Sequence, residues 1–233
     1  MPDDTEAKSP ALPGQRSMWW PKWDSYIAWA PLEMGYRALW GCAQSLEPQE
    51  RTWVRRQPTI FQRGALVERI LLHSLFDEAR ADGRITSKRG IAEVGDSAPM
   101  ASAMFTVPGW HAAASYCQAL VCVAISDKRV GVDCDVLAAA ERIALLPSIF
   151  TVAERMHLNE HPGDVVNLWT AKESLLKLKR ARIDIDPADP AYDVINPRGA
   201  RIISWNPTPR TVASLSVEDG VDEAPIPLVL PGA

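Results

Sequence analysis

The stretch from Leu168 to Lys179 constrains this chain more than any other, because it predicts a helix with two different stripes. One stripe is an apolar seam at helical spacing, formed by Leu168, Ala171, Leu175 and Leu178. The second stripe lies nearly opposite and consists of Trp169, Glu173 and Lys177. A tryptophan facing water would forgo the free energy of burial, so we expect this second side to line a cleft. There an acid and an amine one helical turn apart can hold a metal ion and a phosphate oxygen together.

The composition is that of a globular protein with a sizeable core. The 233 residues are 47% apolar and 23% charged, and they suffice for one large domain or two small ones. The net charge of -4 gives no support for nucleic-acid binding. No apolar run approaches the roughly 20 residues that span a bilayer, and residues 1–17 lack the apolar core of a signal peptide. We therefore expect a cytoplasmic protein without membrane contact.

The cysteines and histidines predict no metal site. The four cysteines match no zinc-binding spacing, and we expect buried, reduced thiols at Cys42, Cys117, Cys122 and Cys134. The four histidines form no metal-spaced pair with a carboxylate motif, and we assign no chemistry to His73, His111, His157 and His161.

The first half of the chain predicts a strand followed by helices. Residues 1–17 lack periodicity and are predicted to be a disordered tail. A tryptophan-rich run follows, which either stacks on bases or packs against a sheet, and its residues 25–30 predict a strand. Residues 47–56 begin a helical region that Pro58 interrupts, and residues 61–79 predict an amphipathic helix. Arg63 and Arg69 lie off its apolar face, where they either grip phosphates or belong to a solvated surface.

Two apolar runs in the middle of the chain predict a hairpin. Residues 119–125 are nearly continuously apolar, and a short polar turn leads to a second strand over residues 130–136. Gly131, Asp133 and Asp135 share one face of that second strand. Two carboxylates on one face repel each other unless a cation lies between them, and oxygen ligands suit Mg²⁺ or Mn²⁺. An exposed polar strand face is the alternative.

Further signals follow in the C-terminal part. Thr151 and Glu154 have the spacing of a helix capping box, which explains Glu154 by itself and leaves a supporting role at a site open. Residues 201–205 and 210–217 are strand candidates, and residues 219–233 are predicted to be a loose tail.

Three sequence blocks stand in order within this region. They read Gly131-Val132-Asp133-Cys134-Asp135, then Phe150-Thr151-Val152-Ala153-Glu154, then Trp169-Thr170-Ala171-Lys172-Glu173-Ser174 with Lys177. This set resembles the signature of the 4′-phosphopantetheinyl transferases, in which G-(I/V)-D-x-(E/D) is followed by F-(S/T)-x-x-E and W-(S/T)-x-K-E-(S/A)-x-x-K. The motif match covers residues 130–179, and elsewhere only the general pattern agrees.

The resemblance implies a fold. The chain length fits the larger class of the family, which is α+β and folds as a pseudo-dimer of two similar α/β subdomains with the site between them. It implies an N-terminal subdomain over residues 18–127 and a C-terminal subdomain over residues 128–218 that carries the Mg²⁺ site. A pseudo-dimeric chain needs no second copy, so we expect a monomer.

The resemblance also implies a function. The family transfers the 4′-phosphopantetheine arm of coenzyme A to a serine of an apo acyl or peptidyl carrier protein, depends on Mg²⁺, and releases adenosine 3′,5′-bisphosphate. By resemblance, Mg²⁺ is held by Asp133, Asp135 and Glu173. Glu173 takes the proton of the carrier serine, Lys177 neutralises or protonates the leaving oxygen, and Glu154 orders a water or a nearby base.

The residues expected to bind coenzyme A follow the family less closely. The resemblance implies that Lys172 contacts phosphate. The usual S-H-S reads Ser115-Tyr116-Cys117 here, and a tyrosine supplies no positive charge. The usual G-K-P reads Ser97-Ala98-Pro99, so its lysine is absent. Other basic residues can compensate, among them Lys88, Arg89, Arg55, Arg56 and Arg63.

Two alternatives to this enzyme remain open. One is a relative that binds a carrier protein without transfer or uses an altered donor, which the departures at Tyr116 and Ala98 motivate. The other is an unrelated Mg²⁺-dependent phosphotransferase or nuclease.

Overall fold

A computed structural model describes residues 12–20, 25–33, 36–86, 90–91, 105–179 and 186–219 of the chain. They form a mixed α and β structure. The helices are α1 Tyr36–Cys42, α2 Pro48–Arg56, α3 Thr59–Ala81, α4 Ala140–Ala144, α5 Val152–Glu160 and α6 Val165–Leu178. The strands are β1 Arg16–Trp20, β2 Ser25–Pro31, β3 Gly90–Ile91, β4 Phe105–Thr106, β5 His111–Tyr116, β6 Leu120–Ser126, β7 Val130–Val136, β8 Ala200–Thr208 and β9 Thr211–Glu218. None of the helices in these ranges is long and apolar enough to cross a membrane.

Two antiparallel sheets carry most of the strands. The N-sheet has four strands in the order β1-β2-β6-β5, and the C-sheet has three in the order β7-β9-β8. Both sheets contain the same topology. In the N-sheet the chain runs β2, α3, β5, β6, and in the C-sheet it runs β7, α6, β8, β9. In the N-sheet β2 pairs with β6, and β6 pairs with β5. In the C-sheet β7 pairs with β9, and β9 pairs with β8.

The predicted hairpin over residues 119–136 is wrong. Both strands exist, but β6 pairs with β2 and β5, while β7 pairs with β9 in the other sheet. The polar turn between them carries the chain from the N-sheet to the C-sheet. Alternating apolar residues indicate that one face of a strand is buried. They do not indicate whether the next strand in sequence pairs with it in the same sheet or packs against it in the facing sheet.

The two sheets pack face to face, and a helix covers the outer face of each. Between the sheets, Cys122 and Ala124 of β6 share an apolar cluster with Val132 and Cys134 of β7. The outer face of the N-sheet packs against α3, and the outer face of the C-sheet packs against α6. The order is therefore helix, sheet, sheet, helix, which buries both faces of each sheet.

Helix α6 forms as the sequence predicts. The apolar seam is buried over its whole length, and it consists of Leu168, Ala171, Leu175 and Leu178. The helix lies so close to β7 that a Cβ atom added at Gly131 would be 2.0 Å from the carbonyl oxygen of Ser174 and 2.5 Å from the nitrogen of Leu178. Glycine at this position therefore sets the distance between α6 and the acidic strand.

Packed structure begins within the stretch that was predicted to be a disordered tail. Leu12 is buried, and Arg16 and Ser17 belong to β1, which pairs with β2. The prediction of disorder for residues 1–17 therefore fails for residues 12–17, because residues 16–17 belong to an edge strand that is stabilised by pairing with the next strand rather than by a pattern of its own. Residues 1–11 and 220–233 lie outside the described part. Trp29 packs between the sheets, with its ring 6.0 Å from that of Trp205.

Candidate functional site

A cleft of about 1090 Å³ lies where the N-sheet and its helix α3 meet the C-sheet and its helix α6. Trp169 and Glu173 of α6 line it, so the second stripe of this helix faces a cleft as the sequence predicts. The polar and charged residues along its walls come from both parts of the chain and include Arg63, Ser115, Tyr116, Asp133, Asp135, Arg142 and Glu173.

Asp133 joins the two parts of the chain at the cleft. Its side chain is nearly buried, and its Oδ1 accepts hydrogen bonds from the Lys177 ammonium at 2.7 Å and from the Ser115 hydroxyl at 2.8 Å. Ser115 belongs to the N-sheet and Lys177 to α6, so three elements converge on one carboxylate. Asp135 lies further along the strand, and its Oδ2 accepts a hydrogen bond from Arg142 at 3.2 Å.

The surroundings of Asp133, Glu173 and Lys177 raise the pKa of all three side chains. Burial raises the pKa of Asp133, its bonds with Lys177 and Ser115 oppose this, and the charge of Asp135 adds to the rise. Burial and then the charge of Asp133 raise the pKa of Glu173. Burial disfavours the charged form of Lys177, but Asp133 and Glu173 outweigh burial and raise its pKa. The cleft thus concentrates negative charge that a bound cation would stabilise.

The donor set fits a hard divalent cation. Asp133, Asp135 and Glu173 offer only carboxylate oxygens, which suit Mg²⁺, and all three line the same cleft. Across the described residues, no three His, Cys, Asp or Glu side chains are arranged as a complete metal-binding group. The Lys177 ammonium is instead the cation bound to Asp133.

The structure does not bring Glu154 and Lys172 to the cleft, contrary to the roles predicted for them. Both side chains are 0% exposed, and they form an ion pair of 2.8 Å with each other. Lys172 also donates to the carbonyl of Pro187 at 2.6 Å, and Glu154 accepts from the backbone nitrogen of Val194 at 2.9 Å. Lys172 lies about 100° around the helix from Glu173, so it points toward α5 rather than into the cleft.

The predicted capping box is present at the start of α5. The Thr151 hydroxyl accepts from the nitrogen of Glu154 at 3.2 Å, and the Glu154 carboxylate accepts from the nitrogen of Thr151 at 2.8 Å. The same hydroxyl donates to Asp193 at 2.9 Å. The capping role of Glu154 therefore holds, and its carboxylate is also bound to Lys172 and to the backbone nitrogen of Val194.

Thr151→Ala is expected to lower the free energy of unfolding by about 1 to 2 kcal/mol, because it removes the cap and leaves the Glu154 nitrogen without its acceptor. Urea unfolding followed by circular dichroism measures the change. Thr52→Ala is the matched control, since Thr52 is exposed inside α2 and alanine favours the helix. Equal changes in the two variants would contradict the capping role.

The predicted coenzyme A residues divide into two groups. Arg63, Ser115 and Tyr116 line the cleft. The ring of Tyr116 packs against Gly64, where an added Cβ atom would lie 3.3 Å from it. Arg55 and Arg56 are exposed on α2 and are not among the described residues that line the cleft. Arg55 instead lies over the ring of Trp40, 5.0 Å from its centroid.

Two residues near the site were not found from the sequence. Arg142 binds Asp135, and nothing in the sequence pattern links the two. Glu68 on α3 is buried and pairs with Arg69 at 3.1 Å. Burial raises the pKa of Tyr116, and the charge of Glu68 adds to the rise. Arg69, predicted to lie on a solvated face or to grip phosphate, is 0% exposed and lies over the ring of Trp53. The sequence signal for Glu68 and Arg69 was their position among the apolar residues of α3, which indicates that both charged side chains are buried.

Comparison with known proteins adds no family to this description. No protein-family model matches the chain, and no curated protein shows a significant sequence match to it. We therefore argue its function from the residues of the cleft and from the three sequence blocks.

Proposed function

We propose that this protein transfers the 4′-phosphopantetheine arm of coenzyme A to a serine of an apo carrier protein, with Mg²⁺ as cofactor. The observation that carries the proposal is the grouping of Asp133, Asp135 and Glu173 in one cleft, with the Lys177 ammonium bound to Asp133. These are the residues that the resemblance assigns to metal binding and proton transfer. The topology that the two sheets share, and the location of the cleft between them, support a pseudo-dimeric transferase fold.

The acidic side of the cleft would bind the metal and accept a proton. Asp133, Asp135 and Glu173 would hold Mg²⁺, which would supply positive charge against the pyrophosphate of coenzyme A. Glu173 has a raised pKa, which makes its carboxylate a better acceptor for the serine proton at neutral pH. Lys177 stays protonated because its pKa is also raised, so it can donate to the leaving phosphate oxygen.

The opposite side of the cleft would bind the donor. Arg63 is exposed at the lining, and its guanidinium can bind phosphate with two hydrogen bonds. Ser115 and Tyr116 add hydroxyl groups, with Ser115 already bound to Asp133. Lys172 has no part in donor binding in this arrangement, since its ammonium is bound to Glu154 and Pro187.

Mass spectrometry of an apo carrier protein tests the function. The carrier is incubated with this protein, coenzyme A and Mg²⁺, and we expect a gain of the phosphopantetheine mass that EDTA abolishes. A carrier whose acceptor serine is replaced by alanine is the control. No gain with acyl, polyketide and peptidyl carriers, from a folded sample, would overturn the proposal.

A second candidate is a relative that binds a carrier protein without transfer. Tyr116 favours it, because the neutral phenol stands in the cleft where the family has a histidine. Carrier binding by calorimetry with no transfer would support this candidate. Transfer that appears in Tyr116→His would then identify the missing positive charge as the cause.

Mg²⁺ is expected to stabilise the protein more at pH 8 than at pH 5. The folded state holds protons on Asp133 and Glu173 more tightly than the unfolded chain, because their pKa values are raised. Their contribution to stability is fully present below the unfolded pKa of about 4 and is lost as pH rises through the folded pKa. A larger fraction of both groups is ionised at pH 8 than at pH 5, and the ionised carboxylates are the forms that bind the cation. Mg²⁺ at ten times its Kd then adds about 1.4 kcal/mol, or roughly 4 °C in Tm.

Thermal unfolding with and without MgCl₂, at matched ionic strength and at both pH values, measures this effect. Glu173→Gln should reduce the increment at pH 8, while Glu141→Gln, which changes an exposed acid on α4, should keep it. An increment equal at both pH values, or undiminished in Glu173→Gln, would contradict Mg²⁺ binding at this site.

A further inference from the structure

Three cysteines meet where the two sheets approach each other. Cys117 follows β5, Cys122 belongs to β6 and Cys134 belongs to β7, and all are free thiols. Cys122 and Cys134 are buried in the cluster between the sheets, and Cys117 packs against it while remaining partly exposed. Sulfur atoms from both sheets are thus brought together beside the candidate site.

Cys117 and Cys134 are anchored to one backbone carbonyl. The backbone nitrogen of Cys117 donates to the oxygen of Leu120 at 3.0 Å, and the Cys134 thiol lies 3.9 Å from that same oxygen. The Cys134 thiol interacts with the Cys117 thiol and with the Cys122 thiol, and of these two partners only Cys117 is partly exposed. Both residues line the cleft, so a small solute that enters the cleft can reach the partly exposed Cys117.

We propose that Cys117 and Cys134 form an oxidisable pair, which a low-molecular-weight disulfide such as oxidised glutathione converts into an intramolecular disulfide. The Cys117 sulfur attacks glutathione disulfide, forms a mixed disulfide and releases one glutathione. The Cys134 sulfur then attacks the Cys117 sulfur and releases the second. Two protein thiols thereby lose two electrons and two protons, and one glutathione disulfide becomes two glutathione molecules.

The reaction is slow at neutral pH. The interaction with Cys134 and then burial raise the pKa of Cys117, so little thiolate is present at pH 7.

The disulfide would change the candidate site. A disulfide joins its sulfurs at about 2.05 Å and its Cβ atoms at about 3.8 Å, which is closer than a contact between two thiols. The bond therefore draws the end of β5 toward β7. Asp133 and Asp135 flank Cys134 in sequence, and Ser115, two residues before Cys117, is bound to Asp133. An effect of this movement on activity rests on the proposed function, whereas formation of the disulfide does not.

Peptide mapping tests the disulfide. The reduced protein is incubated with excess oxidised glutathione at pH 8 without oxygen, alkylated with N-ethylmaleimide and digested with trypsin. We expect a cross-link between residues 90–128 and residues 130–142 that a reductant removes. Residues 90–128 contain both Cys117 and Cys122, so variants must separate them. Cys122→Ala and Cys42→Ser should keep the cross-link, whereas Cys117→Ser should lose it.

Three results would overturn the proposal. One is alkylation of all four cysteines after prolonged oxidation of a folded sample. Another is a cross-link that persists in Cys117→Ser. The third is a stable mixed disulfide of Cys117 with glutathione, which would show that Cys134 does not attack it. Should Cys117→Ser fail to fold, Cys134→Ala tests the same bond from its other end.

Activity separates this inference from the proposed function. If the reduced protein transfers phosphopantetheine, the oxidised protein should transfer it more slowly by about tenfold or more, because small displacements of site residues have effects of that order, and a reductant should restore the rate. Equal transfer rates of the reduced and the oxidised protein would show that the disulfide does not affect the site, without bearing on whether the disulfide forms. A reduced protein without transfer would overturn the proposed function, while the peptide map would still decide whether the disulfide forms.

Discussion

Glu173→Gln is expected to lower the rate of phosphopantetheine transfer by about a thousandfold, because one side chain is assigned both metal binding and proton transfer. Glutamine keeps the size of the side chain but cannot ionise or accept the serine proton. Initial rates of carrier labelling, followed by mass spectrometry at saturating coenzyme A, measure the loss. Glu141→Gln, which changes an exposed acid on α4, is the matched control and should leave the rate unchanged.

Stability distinguishes a catalytic Glu173 from a structural one. Burial and the charge of Asp133 raise its pKa, so the ionised carboxylate is disfavoured in the fold. Without Mg²⁺, Glu173→Gln should therefore leave the free energy of unfolding at neutral pH unchanged or slightly higher. An undiminished transfer rate in this variant would remove Glu173 from the proposed mechanism. A large loss of stability would assign it a structural role.

Gly131→Ala is expected to lower the free energy of unfolding by about 3 kcal/mol or more. The new methyl group would lie 2.0 Å from the carbonyl oxygen of Ser174, which is backbone and cannot rotate away. Helix α6 must therefore move off β7, which disturbs its buried seam and the bond between Lys177 and Asp133. Urea unfolding followed by tryptophan fluorescence measures the loss, and transfer should fall with it.

Gly41→Ala is the matched control for this change. Gly41 is exposed in α1, and an added Cβ atom there meets nothing within 4 Å. Alanine favours a helix, so this variant should be equally stable or more stable by about 0.5 to 1 kcal/mol. Similar losses in the two variants would show that close approach of α6 to β7 does not explain the effect at Gly131.

The sequence predicts the local elements of this fold correctly, because their causes lie within one helix or one strand. The period of apolar residues predicted α6 and the buried seam from Leu168 to Leu178. Spacing alone predicted the capping box of Thr151 and Glu154, since a cap satisfies backbone groups within one helical turn. Strand β7 and the shared face of Asp133 and Asp135 followed from alternation.

Long-range partners were not readable from these patterns. Lys172 and Glu173 are neighbours in one motif, yet Lys172 is bound to Glu154 in the core while Glu173 lines the cleft. The rotation of about 100° per residue along a helix points Lys172 and Glu173 in different directions. Only the position of α5 decides which of the two is buried. Arg69 was likewise predicted to be off the apolar face, and it is buried because α2 covers it with Trp53.

The sequence by itself determined the helix with two stripes, the acidic strand and the glycine that allows them to meet, because each depends on residues close together in the chain. Only the tertiary structure decided that β6 and β7 belong to different sheets and that Ser115 reaches Asp133 across them. It also brought Cys117 beside Cys134. Burial on both faces of each sheet selects these pairings, and that burial is a property of the packed layers rather than of any one segment.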